Sequence, residues 1–226
     1  QARNIRLLWV ANVVRADVDR ALLPALARLP GVAYLSLDAD LPNNELNDGD
    51  QSGPNLSATL NQSLRDLKVD KVWQMGYTGK NVVIAHVDTG VFRTHPDLAD
   101  HIWNNADEIP SNGIDDDNNG FIDDVRGWNF RDNNNNPTDW DGHGTLTAGI
   151  STGDGHQGTQ TGVAPDAELM ILSRGTTESS IWSAIQYAID NGASLIQQAV
   201  TFGWGDSPRP NYPQWRTVGD SELAAG

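Results

Sequence analysis

The stretch VVIAHVDTGV, residues 82–91, constrains the fold more than any other part of this 226-residue chain. Residues 82–87 form an apolar run interrupted only by His86, which is typical of a strand buried on both faces of a parallel sheet. Asp88 then lies at the carboxyl end of that strand, the edge where reactive groups collect in open parallel sheets. An Asp-Thr-Gly taken alone more often only opens a turn, so the role of Asp88 depends on the rest of the sequence.

The later segments predict the remainder of this sheet. ELMILS (168–173) and SLIQQAV (194–200) each have the apolar content of a buried strand. Between them, SSIWSAIQYAIDNG (179–192) repeats apolar residues at helical spacing, with Ser179 or Ser180 as its expected N-cap and a glycine at its end. Strand, helix and strand at this spacing predict right-handed crossovers and a parallel α/β sheet.

The amino-terminal part of the chain predicts a separate small unit. Residues 5–14 have the pattern of a buried strand, a helix is expected from Asp17, and residues 32–37 predict a second strand. Pro24 falls inside this helix and favours a late start or a bend. The next stretch is rich in Asn, Asp, Gly and Pro, as exposed linkers are. We therefore expect a β-α-β unit at 1–40, a linker at 41–60 and the main domain at 61–226.

Composition excludes several classes of partner. The formal net charge of -15 opposes binding to nucleic acid, which requires clustered Lys and Arg. The absence of cysteine excludes disulfides, zinc-thiolate sites and cysteine nucleophiles. No apolar run approaches the roughly 18 residues that a membrane span requires. We expect a soluble chain whose signal peptide, if it has one, lies upstream of Gln1.

A histidine motif supplies the context that Asp88 needs. DGHGTLTAG (141–149) holds His143 between two glycines and continues with small residues, so a helix can begin against the sheet with the imidazole in its first turn. GVAP (162–165) follows. Together with VDTGV and HPDL, in this order and spacing, these motifs make residues 72–202 resemble the subtilisin-like serine proteases, the subtilase family.

The resemblance implies a catalytic triad of Asp, His and Ser. Asp88 would orient the imidazole and stabilise its protonated form, and His143 would act as general base and then as general acid. The family's nucleophile lies in a Gly-Thr-Ser motif, and neither this motif nor the oxyanion-hole asparagine is present. GTTESS (175–180) and Ser221 lack the expected neighbours. We therefore expect a serine endopeptidase, a hydrolase, that is truncated here, with its serine beyond Gly226.

The resemblance also implies the architecture and the partners. The expected fold is the subtilisin-like three-layer α/β sandwich around a parallel sheet, with only its N-terminal half in this chain. Residues 1–40 resemble the second half of the family's ferredoxin-like propeptide, which covers the cleft until it is cleaved; an unrelated accessory module is the alternative. We therefore expect a secreted zymogen with its own propeptide and extended polypeptide as partners.

Four other histidines compete for the role of base. His86 projects to the same face as Asp88 but lies deeper along the strand, so we interpret it as a packed residue. His95, in THPDL, matches a structural position of the family. His101 and His156 lie in polar loops and belong to no motif.

The strand that would pair with substrate departs from the family's Ser-Leu-Gly. The chain has IQQAVTFGWG (196–205) in this place, and two alignments are possible. Either one leaves an edge strand on which extended peptide could add. The candidate substrate-binding residues are Ala199, Val200 and Thr201 in the gapless alignment, and Thr201, Phe202 and Gly203 in the shifted one.

An acidic loop, NGIDDDNNGFIDD (112–124), predicts a structural calcium site. Oxygen-bearing side chains alternate and are followed by Gly120, as in an EF-hand-type loop. Arg126 stands where an EF-hand has its bidentate glutamate and no two helices flank the loop, so an EF-hand domain is not expected. A solvated turn is the alternative. Asp97, in HPDL, matches a calcium ligand of the family. The candidate ligands are Asp97, Asp115, Asp117, Asn119, Phe121 through its carbonyl, and Asp123.

A non-catalytic function remains open, whereas an aspartic protease does not fit the sequence. A catalytically inactive subtilase-like protein, or a calcium-dependent binding protein, would lack a downstream Gly-Thr-Ser motif. An aspartic protease would pair Asp88 with a second Asp-Thr/Ser-Gly, but GDS at 219–221 reverses that order. Aspartic proteases are also all-β, whereas this chain alternates strands and helices.

Overall fold

A computed structural model describes residues 2–40, 59–200 and 210–226 of the chain. The strands are β1 (Arg3–Leu8), β2 (Val13–Asp17), β3 (Thr59–Leu60), β4 (Val83–Asp88), β5 (Gly127–Asn129), β6 (Thr159–Gln160), β7 (Glu168–Ser173) and β8 (Leu195–Gln197). The helices are α1 (Leu23–Leu26), α2 (Gln62–Asp66), α3 (Val69–Gln74), α4 (His143–Thr152), α5 (Glu178–Asp190) and α6 (Tyr212–Ala225). Short 3-10 turns occur at Trp9–Ala11, Arg20–Leu22 and Ala99–His101.

Four parallel strands form the central sheet in the order β5-β7-β4-β8. Strand β4 is an inner strand that pairs with β7 along its whole length, so Asp88 lies opposite Ser173 at the carboxyl edge. Strand β8 covers only three of the seven residues predicted for it. The predicted parallel α/β sheet and the position of Asp88 at its edge are therefore confirmed.

Helices cover both faces of this sheet. On one face Ala85 and Val87 join a core with α5, and on the other Ile84 packs with Ala148 of α4. Side chains alternate along a strand, so His86 and Asp88 share the α4 face with Ile84. The expected three-layer arrangement is present, and it places α4 directly over the strand that carries Asp88.

Helix α5 begins earlier than its serines suggest. Thr177 is its N-cap, with extended backbone angles and a side-chain oxygen that accepts a hydrogen bond from the Ser180 amide. Ser179 and Ser180 therefore lie inside the helix and not at the expected cap position. Gly192 follows the helix at φ +74°, a conformation that costs glycine little, as expected of a helix stop.

The β-α-β order predicted for residues 1–40 is wrong. The apolar run is divided by the turn at Trp9–Ala11 and by Asn12 at φ 51°, so β1 and β2 form an antiparallel hairpin. Residues 32–37 form no strand, and the helix is reduced to a 3-10 turn and the single turn of α1. Pro24 lies in the first turn of α1, in agreement with the late start. A run that is apolar on both faces does not indicate where the chain reverses.

The turn of the hairpin packs on helices α5 and α6. Leu8, Val10 and Ala11 are almost fully buried in the core that includes residues of α5 and α6. Residues 41–58, most of the predicted linker, lie outside the described residues, and its last two residues form β3, which pairs with β6. Among the described residues, no helix has the length and apolar content to cross a membrane.

Candidate active site

Asp88 is a buried carboxylate at the carboxyl end of β4. One oxygen, Oδ1, accepts hydrogen bonds from the Thr89 amide at 2.7 Å and from Nδ1 of His143 at 2.8 Å. The other, Oδ2, accepts from the hydroxyl of Thr147 at 2.8 Å. The side chain of Asp88 has no exposed surface. Its partner is therefore an imidazole, and no second aspartate of the described residues pairs with it.

His143 is held against this carboxylate by the start of α4. It is the first residue of that helix, and Gly142 before it adopts φ +107°. A Cβ on Gly144 would lie 2.1 Å from the carbonyl oxygen of Gly90, so only glycine allows this close approach. A carboxylate only accepts hydrogen bonds, so Nδ1 of His143 carries the proton. Nε2 is then the nitrogen available for chemistry.

His86 lies beneath this pair and is fully buried. Its Nε2 is 2.9 Å from the Gly144 carbonyl oxygen and 3.8 Å from Oδ2 of Asp88. Burial lowers the pKa of His86, although the negative charge of Asp88 and hydrogen bonds from the imidazole to the Gly144 carbonyl and the Gln197 side chain oppose the shift. The interpretation of His86 as a packed strand residue agrees with this burial, which keeps it from substrate.

Asp139 is a residue near the pair that no sequence motif indicated. It is partly buried, and its carboxylate accepts hydrogen bonds from Thr89 after β4 and from Thr145 in α4. One feature of the sequence could have indicated Asp139: it lies in a polar stretch four residues before a helix start. Acidic side chains in such positions accept hydrogen bonds from the unpaired amides of the first helical turn.

The other three histidines lie apart from Asp88. Nδ1 of His95 accepts a hydrogen bond from the Asp97 amide, and Nε2 of His101 is 3.1 Å from Asp154. His156 is exposed, and its amide donates to Asp154. Oδ1 of Asp97 accepts from the Gln157 amide at 2.6 Å. One oxygen of this predicted calcium ligand thus has a backbone partner, and its role as a ligand stays a prediction.

The acidic loop brings three carboxylates together. Glu108, Asp115 and Asp117 each offer an oxygen, and these oxygens lie within 4.8 Å of one another. The sequence motif did not predict Glu108 as a ligand, because this residue lies before the motif. Burial raises the pKa of Glu108, and the negative charges of Asp124 and Asp117 add to this shift against two backbone hydrogen bonds. No Lys, Arg or His forms an ion pair with these carboxylates in the described part of the chain.

The remaining predicted ligands of the loop lie outside this group of three carboxylates, although Asp115 and Asp117 likewise accept hydrogen bonds from backbone amides. The Asp123 carboxylate accepts from the amides of Asn112 and Gly113, each at 3.0 Å. Oδ1 of Asn119 accepts from the Phe121 amide, and the Phe121 ring packs on aromatic residues, including Trp128 at 5.1 Å between ring centroids.

Asp124 is a second acidic residue of this loop that the motif did not identify. It is fully buried, and Oδ2 accepts a hydrogen bond from the Tyr187 hydroxyl in α5. Burial raises the pKa of Asp124, against hydrogen bonds from Tyr187, Asn119 and Asn105. Asp124 thus joins the acidic loop to the helix beneath it.

The predicted substrate strand is only partly described. Ala199 and Val200 follow β8 as irregular, partly buried residues, and Val200 packs against the core of the α5 face. Thr201, Phe202 and Gly203 lie outside the described residues. The assignment of substrate-binding residues stays a prediction.

An aspartate that orients a histidine at the carboxyl edge of a parallel α/β sheet, in this chain order, is the arrangement of subtilisin-type serine proteases. Residues 79–224 match the profile of the Subtilase family, and the chain belongs to this family.

Several curated relatives are similar to this chain. It is 29% identical over 204 residues to the thermophilic serine proteinase of a Bacillus species, covering 85% of this chain and 43% of that protein. It is 33% identical over 126 residues to subtilisin-like protease 1 of Plasmodium berghei, covering 53% of this chain and 21% of that protein. The solved structure of fervidolysin from Fervidobacterium pennivorans aligns with TM-score 0.46 at 23% identity, over 69% of this chain and 21% of that one. The chain thus spans less than half the length of each of these proteins.

Proposed function

We propose that the intact protein is an endopeptidase that hydrolyses peptide bonds through an Asp-His-Ser triad, with Asp88 and His143 as two of its members. The observation that carries this proposal is the 2.8 Å hydrogen bond between Nδ1 of His143 and the buried Asp88 carboxylate. It fixes the proton on Nδ1 and leaves Nε2 as a base. Membership in a family of serine proteases supports the same reaction.

The proposed reaction is acyl transfer. A serine outside the described residues attacks the carbonyl carbon of the substrate, and its hydroxyl proton passes to Nε2 of His143. The C–N bond then breaks as Nε2 returns this proton to the leaving amine, and water hydrolyses the acyl-enzyme by the same base. Asp88 remains ionised and stabilises the imidazolium between these two transfers.

A fluorophosphonate probe tests the nucleophile. We expect no covalent labelling of this chain alone, and labelling of a longer form that carries a Gly-Thr-Ser segment. His143→Ala in the longer form should abolish the labelling. Labelling of the 226-residue chain would refute the placement of the serine, and a longer form that is folded yet unlabelled would favour the alternative of an inactive, calcium-dependent binding protein.

We also propose that the acidic loop binds calcium as a structural ion. The donor set fits: Ca²⁺ takes hard oxygen ligands, and Glu108, Asp115 and Asp117 present converging carboxylate oxygens without an ion-pair partner among the described residues. Burial raises the pKa of Glu108, and a bound cation would relieve the repulsion from Asp124 and Asp117 that adds to this shift. A calcium ion bound here would stabilise the loop. Through the hydrogen bond from Tyr187 to Asp124 it would also stabilise helix α5. A calcium site of this kind suits the secreted location that the family resemblance suggests.

Calcium titration separates this site from a solvated turn. At calcium 100-fold above Kd, binding should add about 2.7 kcal/mol to the free energy of unfolding. Asp117→Ala and Glu108→Gln should abolish the calorimetric signal and this gain. Asp107→Ala, an exposed aspartate near the loop, is the matched control. If Asp123→Asn also abolishes binding, Asp123 is part of the ligand set; identical heats and melting temperatures for wild type and Asp117→Ala would eliminate the site.

We further propose that residues 1–40 act as an intramolecular propeptide. The hairpin places Val10, which has no exposed surface, against α5 and α6, and the Asp38 carboxylate accepts from the Ser179 amide in the first turn of α5. Nε2 of Gln214 donates to the carbonyl of Ala11 at 2.7 Å. These contacts would keep the segment docked on the domain until cleavage.

Limited proteolysis tests this docking. Val10→Asp buries an unpaired carboxylate, which costs several kcal/mol, so the segment should detach and be cut faster. Ile5→Asp is the matched control, because Ile5 lies on the same hairpin but is 63% exposed. Equal cleavage rates for the two variants would contradict the proposed docking.

A further inference from the structure

The Asp139 carboxylate accepts hydrogen bonds from both sides of the active site. Its Oδ1 accepts from the Thr89 hydroxyl at 2.8 Å and from the amides of Gly142 and Asp141 at 2.9 and 3.1 Å. Its Oδ2 accepts from the amide and the hydroxyl of Thr145, at 2.8 and 2.5 Å. Five donors from β4's end, the intervening loop and α4 thus meet on one side chain.

These hydrogen bonds join the two residues that carry the candidate chemistry. Thr89 follows Asp88 directly, and its amide donates to the Asp88 carboxylate. The Thr89 hydroxyl also accepts from the amide of Gly144, the residue after His143. Asp139 therefore holds the backbone on either side of the Asp88–His143 hydrogen bond without touching the imidazole itself.

The arrangement requires a carboxylate and not merely a polar side chain. Burial alone would raise the pKa of Asp139, but hydrogen bonds from Thr145, Gly142, Asp141 and Thr89 outweigh it and lower the pKa. An asparagine has the same shape, yet its amide group would point two N–H donors at donors. Removing one oxygen acceptor would therefore release either the α4 side or the β4 side of the network.

We propose that Asp139 is a positioning residue that keeps the His143 imidazole in hydrogen-bonding register with Asp88. This proposal rests on the proposed peptidase function, since its consequence for rate requires that function. The register itself can be measured on this chain without any reaction.

NMR of the 226-residue chain tests the register. The proton shared between Nδ1 of His143 and Asp88 should give a resolved downfield resonance in the wild type. Asp139→Asn should broaden or remove this resonance while far-UV circular dichroism stays unchanged. Asp100→Asn removes the same charge from an exposed aspartate and should leave the resonance as it is.

Kinetics of a longer form with the serine test the consequence. A misplacement of about 1 Å can cost about a hundredfold in rate, so Asp139→Asn should lower kcat by roughly tenfold to a hundredfold. KM should change by less than about threefold, because Asp139 does not lie on the predicted substrate strand. If the longer form has no peptidase activity but the resonance still responds, the proposed function fails and the positioning role stands.

A second variant covers the case in which Asp139→Asn does not fold. Thr89→Val removes the hydroxyl that links Asp139 to Gly144 while keeping the shape of the side chain, and Thr89→Ser restores the hydroxyl. The valine variant should lose the resonance and the serine variant should recover it. A sharp, unshifted resonance in Thr89→Val or in folded Asp139→Asn, or an unchanged kcat, would overturn the proposal.

Discussion

Replacing Thr147 by valine isolates one hydrogen bond to the buried carboxylate. The Thr147 hydroxyl donates to Oδ2 of Asp88 at 2.8 Å. Among the described residues, no other hydrogen bond to that oxygen is present. Valine preserves the branched shape of threonine, so the change removes the donor without opening a large cavity. Oδ2 would then face His86, whose Nε2 is 3.8 Å away and engaged by the Gly144 carbonyl.

The expected cost follows from the burial of Asp88. A hydrogen bond to a charged group contributes about 1.5–3 kcal/mol, and Asp88 has no exposed surface through which water could replace it. For a chain of this size, 1 kcal/mol shifts Tm by about 2–4 °C, so Thr147→Val should lower Tm by roughly 3–12 °C.

Urea denaturation and calorimetry at pH 7 measure this cost, with Thr147→Ser as the control. Serine keeps the hydroxyl and loses only a methyl group, so it should remain within about 1 kcal/mol of the wild type. If valine and serine destabilise the chain equally, the lost stability belongs to packing. If valine has no effect, the hydroxyl does not stabilise the Asp88 carboxylate and the reasoning fails.

Two further predictions concern His86 and the glycines of α4. Burial places the pKa of His86 in the folded chain below its unfolded value of about 6.5. The stability that the neutral, buried imidazole contributes is therefore fully present above pH 6.5 and is lost as the pH falls toward the lower folded pKa. Urea denaturation at pH 7.5 and 5.5 should therefore show a smaller loss for His86→Gln than for the wild type, and equal losses would contradict this. Gly144→Ala should destabilise by about 1–3 kcal/mol through its clash with Gly90, whereas Gly149→Ala, which meets no atom within 4 Å, should stabilise by about 0.5–1 kcal/mol. Thermal melts of the two variants that move in the same direction would refute this account of the helix start.

The main domain could be predicted from sequence because its signals are local. The apolar runs at 82–87 and 168–173 have the pattern of strands that are buried on both faces, and β4 and β7 confirm this prediction. The pairing of Asp88 with His143 was predicted from the resemblance of the VDTGV and DGHGT motifs to those of the subtilase family. The amino-terminal hairpin was missed because the run at 5–14 contains no glycine or proline to mark its turn, and Asn12 in a left-handed conformation was the only local signal.

The acidic loop shows the same division between local and distant information. Its composition indicated an oxygen-rich ion site, but the alternation of residues 115–123 did not determine which carboxylates converge. Glu108 joins Asp115 and Asp117 from before the motif, while Asp123 turns its oxygens to the amides of residues 112 and 113. These orientations depend on how the chain closes on itself.

The sequence by itself determined three of the four strands of the sheet and the edge at which Asp88 lies, because strand burial is a property of short segments. The resemblance of its motifs to those of the subtilase family added the pairing of Asp88 with His143. Only the tertiary structure decided what surrounds this pair. Asp139 becomes a common acceptor for β4 and α4, and Thr147 and His86 come to lie on the Asp88 carboxylate, because helix α4 packs across the end of β4. Hydrogen bonds between residues 50 or more positions apart have no periodic trace in a sequence, so the fold is needed to reveal them.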